Sequence, residues 1–184
     1  MAATVGLEDK TGMEKTIGMD LLEIGEQDLY FDQPLPQEVE ALIAAAADAY
    51  GEPEAEDMLL AAYEKQPHHP VVHVALYRYY YYQHRLGEAL HMADRTLEDT
   101  GLGLGFAGHW SEATLAGLGA GEANMARVRY YLLALKGAGF ICLRLGRREE
   151  GEMRLQKVAE MDSADRLGAR AILGVVESAL QANA

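Results

Sequence analysis

Cysteine is almost absent from this chain. Cys142 is the single one among 184 residues, so no internal disulfide can form, and a reducing, cytoplasmic location is expected. Long apolar runs are missing as well: Ala41–Ala47 is far shorter than the ~20 residues that cross a bilayer. The first ten residues have neither a basic start nor an apolar core, so no secretory signal is expected. Bases are scarce, with 16 Lys plus Arg against 29 Asp plus Glu, a formal charge of −13 and a pI near 4.8. That excess argues against nucleic acid and anionic membrane as partners, since both need a cationic footprint. What is present is a 49% apolar composition, ordinary for a packed chain, in a length that suits one domain.

The charge is unevenly placed. Residues 1–70 carry 16 acids and three bases, whereas residues 71–184 carry 13 of each. Residues 1–35 hold Gly6, Gly12, Gly18 and Gly25 with no helical period, and are expected to form an acidic, mobile arm. Its apolar knot, Leu21-Leu22-Glu23-Ile24 and Leu29-Tyr30-Phe31, could dock on the body of the protein or on a partner. The bland reading of the arm is a solvated segment. The sharper one is a shield folded back over a basic surface of the same chain. Pro34 and Pro36 mark the boundary with a domain spanning 36–184.

Beyond Pro36 the apolar residues recur at steps of three and four, as in Val39, Leu42, Ile43, Ala46 and then Met58, Leu59, Ala62, Tyr63. Gly51 and Pro53 stop one helix and open the next, and Pro67 and Pro70 do the same again. A third helix is predicted from Val71 to about His84 and a fourth from Leu86 to Asp99. No strand-like alternation bounded by turns is present. The expected fold is all-α, built from short antiparallel hairpins.

A shift of 34 residues lays Leu42 on Leu76 and Ala55 on Ala89. A third copy runs from Gly139 through Gly146 to Gly151 and on to Leu155, Val158, Ala159 and Met161. Here the chain resembles the tetratricopeptide repeat (TPR) family, whose unit is a 34-residue pair of antiparallel helices. That family places small residues where the paired helices cross; Ala55, Ala89, Gly139 and Gly151 take those places. Gly146 matches its turn glycine and Pro67 its closing proline. The resemblance implies a TPR-like α-solenoid of about three units, near 36–69, 70–100 and 125–163. Ala89 and Gly151 stand 62 residues apart, 28 more than one unit, which leaves a Gly-rich insert at 101–124. Within it Ser111 and Glu112 are expected to start a short helix, with Trp110 tucked against a hairpin. Residues 164–181 are expected to form a C-terminal capping helix, with Asp165, Arg166, Arg170 and Glu177 outward.

Candidate chemistry is thin. Gly101-Leu-Gly-Leu-Gly lacks a preceding strand and the Lys-Ser/Thr ending of a phosphate-binding loop. His69 and His73 share a helix face and suit a metal, but no third ligand completes the set, so a structural role is expected. His84, His91 and His109 have no Ser or Cys at a diagnostic spacing. Cys142 falls on a packed face and reads as a small buried hydrophobe. No enzymatic activity, metal or cofactor is expected.

The tyrosine run Tyr77-Arg78-Tyr79-Tyr80-Tyr81-Tyr82 cannot all be core, because successive helical residues point 100° apart. In the register that the resemblance implies, Tyr77 and Tyr80 face the paired helix. Val71, Val74, Arg78, Tyr81 and Tyr82 then line the concave side, joined by Leu133, Lys136, Phe140, Leu143 and Arg144 of the third unit. Members of the family commonly bind peptides in that concavity, so these ten residues form the expected peptide-binding groove. Its tyrosines and cations suit a protein or peptide ligand carrying carboxylates and apolar anchors. Gln37, Glu40 and Ala44 lack the Asn of the family's carboxylate clamp, so that clamp is not expected. The expected role is an adaptor or assembly factor. The alternatives are a secretion- or folding-type chaperone, or a self-associating protein that dimerises through the Ala/Gly-rich terminal helix.

Overall fold

The computed structural model describes residues 34–182; the expectations placed on the N-terminal arm and its apolar knot lie outside the described residues. Among those residues there is no strand. The helices are α1 (Gln37–Asp48), α2 (Glu54–Lys65), α3 (Pro70–Tyr82), α4 (Leu86–Gly103), α5 (Met125–Arg144), α6 (Arg148–Met161) and α7 (Ala169–Gln181).

Sequence punctuation sets most of these boundaries. Pro70 opens α3 as its first residue, where a missing N–H costs nothing, and the His69 side chain caps that end by accepting from Val71 N–H at 3.3 Å. At the end of α3, Arg85 N–H donates to the Tyr80 carbonyl at 2.9 Å and His84 N–H to that of Tyr81 at 3.0 Å. The end of α5 repeats this, with Arg147 N–H on Cys142 at 2.9 Å and Gly146 N–H on Leu143 at 3.1 Å. The two turns stand 62 residues apart, the spacing that separates Ala89 from Gly151. In both, one residue adopts left-handed backbone to close the helix, Gly146 at φ 77° and His84 at φ 58°.

The helices pair as antiparallel neighbours α1/α2, α3/α4 and α5/α6. Lys65 near the end of α2 meets Glu38 near the start of α1 at 2.9 Å, and His73 early in α3 lies 3.4 Å from Thr96 late in α4. In the third hairpin, α5 and α6 cross backbone to backbone. A Cβ on Gly151 would fall 2.8 Å from the Gly139 carbonyl oxygen, and one on Gly139 only 3.0 Å from Leu155. Ala55 and Ala89, near the starts of α2 and α4, are fully buried. Helices α3 and α5 run side by side in the same direction. The Tyr130 hydroxyl donates to the Pro70 carbonyl at their starts (3.3 Å), and Arg144 reaches Tyr81 at their ends (3.1 Å). One apolar core runs from Val39 to Ile172 through all three hairpins. Helix α5 is its axis: every residue from Tyr130 to Cys142 is buried.

Three boundaries differ from the expectation. Helix α4 continues past Asp99 to Gly103, because its closing turn forms at Gly105 (φ 80°), where Phe106 N–H returns to the Gly101 carbonyl at 2.8 Å. Within the insert, Ser111 and Glu112 belong only to a single 3₁₀ turn, Trp110–Glu112, capped by His109. The terminal helix starts at Ala169, not 164. Asp165 (φ 49°) and Gly168 (φ 71°) take left-handed backbone that no helix contains, and Asp162 accepts from Leu167 N–H at 2.7 Å to hold the turn. Arg170 also departs from its expected outward role: its guanidinium donates to the carbonyls of Ala159, Asp162 and Ser163, closing the end of α6.

Candidate functional site

The tyrosine run divides by helical angle. Tyr77 and Tyr80 turn inward, and the Tyr80 hydroxyl donates to Glu56 at 3.2 Å beneath the Arg85 guanidinium, 4.7 Å from its ring centre. Burial, reinforced by Glu56, pushes the Tyr80 phenol up to about 12. Tyr81 and Tyr82 face outward at the end of α3. Arg144, at the end of α5, donates to the Tyr81 hydroxyl at 3.1 Å with its guanidinium 5.4 Å from the ring centre. Tyr77 stacks on Tyr81 at 6.3 Å, and Tyr82 meets it edge-on at 5.6 Å while remaining 55% exposed. A smaller aromatic pair, Tyr50 against Tyr79 at 6.3 Å, links the end of α1 to α3.

The ten expected groove residues are not one open strip. Val74, Leu133, Lys136 and Phe140 are buried, the lysine at 1% exposure: Val74 lies on the inward face of α3, and the middle of α5 has no solvent face. Val71, Arg78, Tyr81 and Leu143 are half-buried, and Tyr82 and Arg144 are exposed. The accessible part is an edge where α3 and α5 end together. It offers aromatic rings beside guanidinium groups, a pairing that grips apolar and carboxylate groups at once.

His69 and His73, the pair of helical spacing, are both structural. His69 caps α3, and His73 donates through Nε2 to the Pro67 carbonyl at 2.7 Å. Burial is the main influence on His73 and lowers its pKa, so the ring is neutral at neutral pH. Asp99 gathers His68 Nδ1 at 3.1 Å and Arg95 at 3.4 Å, with His73 Nε2 at 3.6 Å. Among the described residues no three ligating side chains are placed to hold a metal ion. Cys142 is fully buried, and that burial pushes its thiol up to about 11.

Arg154 was not singled out by the sequence, yet it organises the space under the insert. It is 4% exposed, donates to Asp94 of α4 at 2.6 Å and to Glu150 at 2.7 Å, and lies 4.8 Å from the centre of the Trp110 ring. Burial opposes its charge, but the two carboxylates outweigh that and raise its pKa. The signal was available: position 154 falls three after Gly151 and four before Val158, on the buried stripe of α6. Trp110 is thereby tucked against the third hairpin.

These features define an all-α protein of helical hairpins. No protein-family model matches the chain, and no solved structure does. The chain is 46% identical over 159 residues to the "uncharacterized 19.8 kDa protein in nifW 5′ region" of Azotobacter chroococcum mcd 1. The match covers 86% of this chain and 89% of that protein, and the chain belongs to the family of that protein. No helix among the described residues is long and apolar enough to cross a membrane.

Proposed function

We propose that the protein is a non-catalytic, TPR-like module that binds a segment of another protein at the edge formed by Arg78, Tyr81, Tyr82 and Arg144. The carrying observation is the contact between Tyr81 and Arg144. It joins one hairpin to the next and sets an aromatic face and a guanidinium beside the exposed Tyr82. Such groups give large contact area at low entropy cost, and a carboxylate beside an apolar anchor is their natural ligand. The repeated turns at His84 and Gly146, the close-packed Gly139/Gly151 crossing and the parallel course of α3 and α5 support the repeat reading. The role is that of an adaptor or assembly factor.

The test is a pull-down with mass-spectrometric readout, wild type beside an Arg78/Tyr81/Tyr82→Ala variant of equal helicity. The enriched partner is then titrated against Arg144→Glu. The proposal expects a partner held by wild type and lost from both variants; equal recovery and equal affinity would sink it. Self-association has an observation of its own, since α7 leaves Val175 50% and Leu180 38% exposed. Light scattering that gives a dimer for wild type and a monomer for Val175→Lys would favour that second reading.

A further inference from the structure

A cleft of about 500 Å³ lies between α4, the insert and α6, sharing no residue with the tyrosine edge. Its floor is the buried Arg154, so the fold itself shows what this environment holds: a guanidinium against an indole face, fixed by carboxylates. One guanidinium there answers two acids, Asp94 and Glu150, and the Asp94 side chain is still 37% exposed. At the rim Glu98, 63% exposed, pairs with Arg95 at 3.0 Å, a guanidinium it shares with Asp99, and Phe106 and Leu102 supply apolar surface. The walls are held in place. A Cβ on Gly101 would meet the Phe106 carbonyl at 2.9 Å, so a glycine there lets the insert close on α4, and one on Gly108 would meet the Phe106 ring at 2.9 Å, so the insert also folds tightly on itself. Around the opening the carboxylates of Asp94, Glu98, Asp99 and Glu150 share two guanidiniums, those of Arg95 and Arg154, so acids are in local excess and the potential there favours cations.

We infer that this cleft is a second binding site, taking the guanidinium of an arginine side chain presented by a partner polypeptide. The arginine would lie against Phe106 and the rim apolar surface, with its charge between Asp94 and Glu98. A partner that uses both sites carries a basic residue here and an acidic-apolar stretch at the tyrosine edge, which makes the two contacts complementary in sign.

Trp110 is the chain's one tryptophan and lines the cleft, so its fluorescence reports on occupancy. Full-length protein is titrated with acetyl-Gly-Arg-Gly-Arg-Gly-amide, with the glutamate counterpart as control, and calorimetry is run in parallel. A saturable change with the arginine peptide alone is expected, weakened about two- to five-fold at low salt by Glu98→Lys, the scale of one exposed charge contact. Phe106→Ala, which leaves every charge in place, should weaken it as well. Arg144→Glu should leave it unchanged, which separates this site from the tyrosine edge. No saturable binding by either method, or equal binding by wild type and both cleft variants, would overturn the inference. Equal affinity for methylguanidinium alone would overturn the polypeptide as its source.

Discussion

Two buried titratable residues set how the protein answers to reagents and to acid. Cys142 lies at 0% exposure with its thiol pushed up to about 11, so at neutral pH almost none is thiolate. Folded protein should leave a disulfide reagent such as dithionitrobenzoate unreacted over hours, and release one equivalent in denaturant. Prompt reaction of the folded form would contradict the burial. His73 has its pKa lowered by burial from 6.5. The unfolded chain then takes up a proton that the folded chain refuses, so the contribution is complete above about pH 6.5 and is lost as pH falls below it. The denaturation midpoint should decline between pH 7 and pH 5, ahead of any carboxylate protonation. In His73→Gln that slope should flatten, whatever its absolute stability. A slope identical to wild type would assign the decline to other groups.

Elements are held by how closely their backbones approach. Gly151 meets the Gly139 carbonyl across the α5/α6 crossing, and a methyl there would fall 2.8 Å from that oxygen and from Leu143. Gly151→Ala gains about 1 kcal/mol of helix propensity. It should still be net destabilising by roughly 1–3 kcal/mol, as overpacking is, readable as a lower urea midpoint at unchanged m-value. A stabilised variant would mean the crossing is looser than the geometry. This crossing was legible in the sequence because two small residues in repeat register predict close helices. So were the start of α3 and the turn at Gly146, where proline, glycine and apolar rhythm agree. The end of α4 was not: Gly101 reads as a stop, but a helix ends where the closing turn finds left-handed backbone, four residues later at Gly105. Likewise nothing local marks Asp165 as left-handed, since aspartate is only one of several residues that tolerate it.

Over the whole molecule, charge and burial were legible to different degrees. The register placed Tyr77 and Tyr80 inward and Tyr82 outward, as found. It also counted Leu133, Lys136 and Phe140 as solvent-facing, and missed that the middle of α5 is covered on all sides. A lysine in an apolar run reads as surface unless the packing of neighbouring helices is known, and that packing is set by residues far away in the chain. On the proposed reading, the acidic segment would act on an acidic ligand through its charge. Residues 1–33 hold eight acids and two bases, so their removal lowers the repulsion felt by an acidic ligand. Deleting them should tighten binding of an acidic peptide at the tyrosine edge by a few-fold at low salt, with the gain fading as salt rises. No change, or weaker binding, would count against a shielding role for this segment.

The enclosed axis of α5 also orders how the molecule comes apart in time. A helix with neighbours all round opens only when its surroundings have loosened, whereas α1 and α7 each lie against the stack from one end. Deuterium should therefore enter the outer helices first and the amides between Tyr130 and Cys142 last, so the stack would unravel inward from its two ends and α5 would be the final part to lose its memory of the native state.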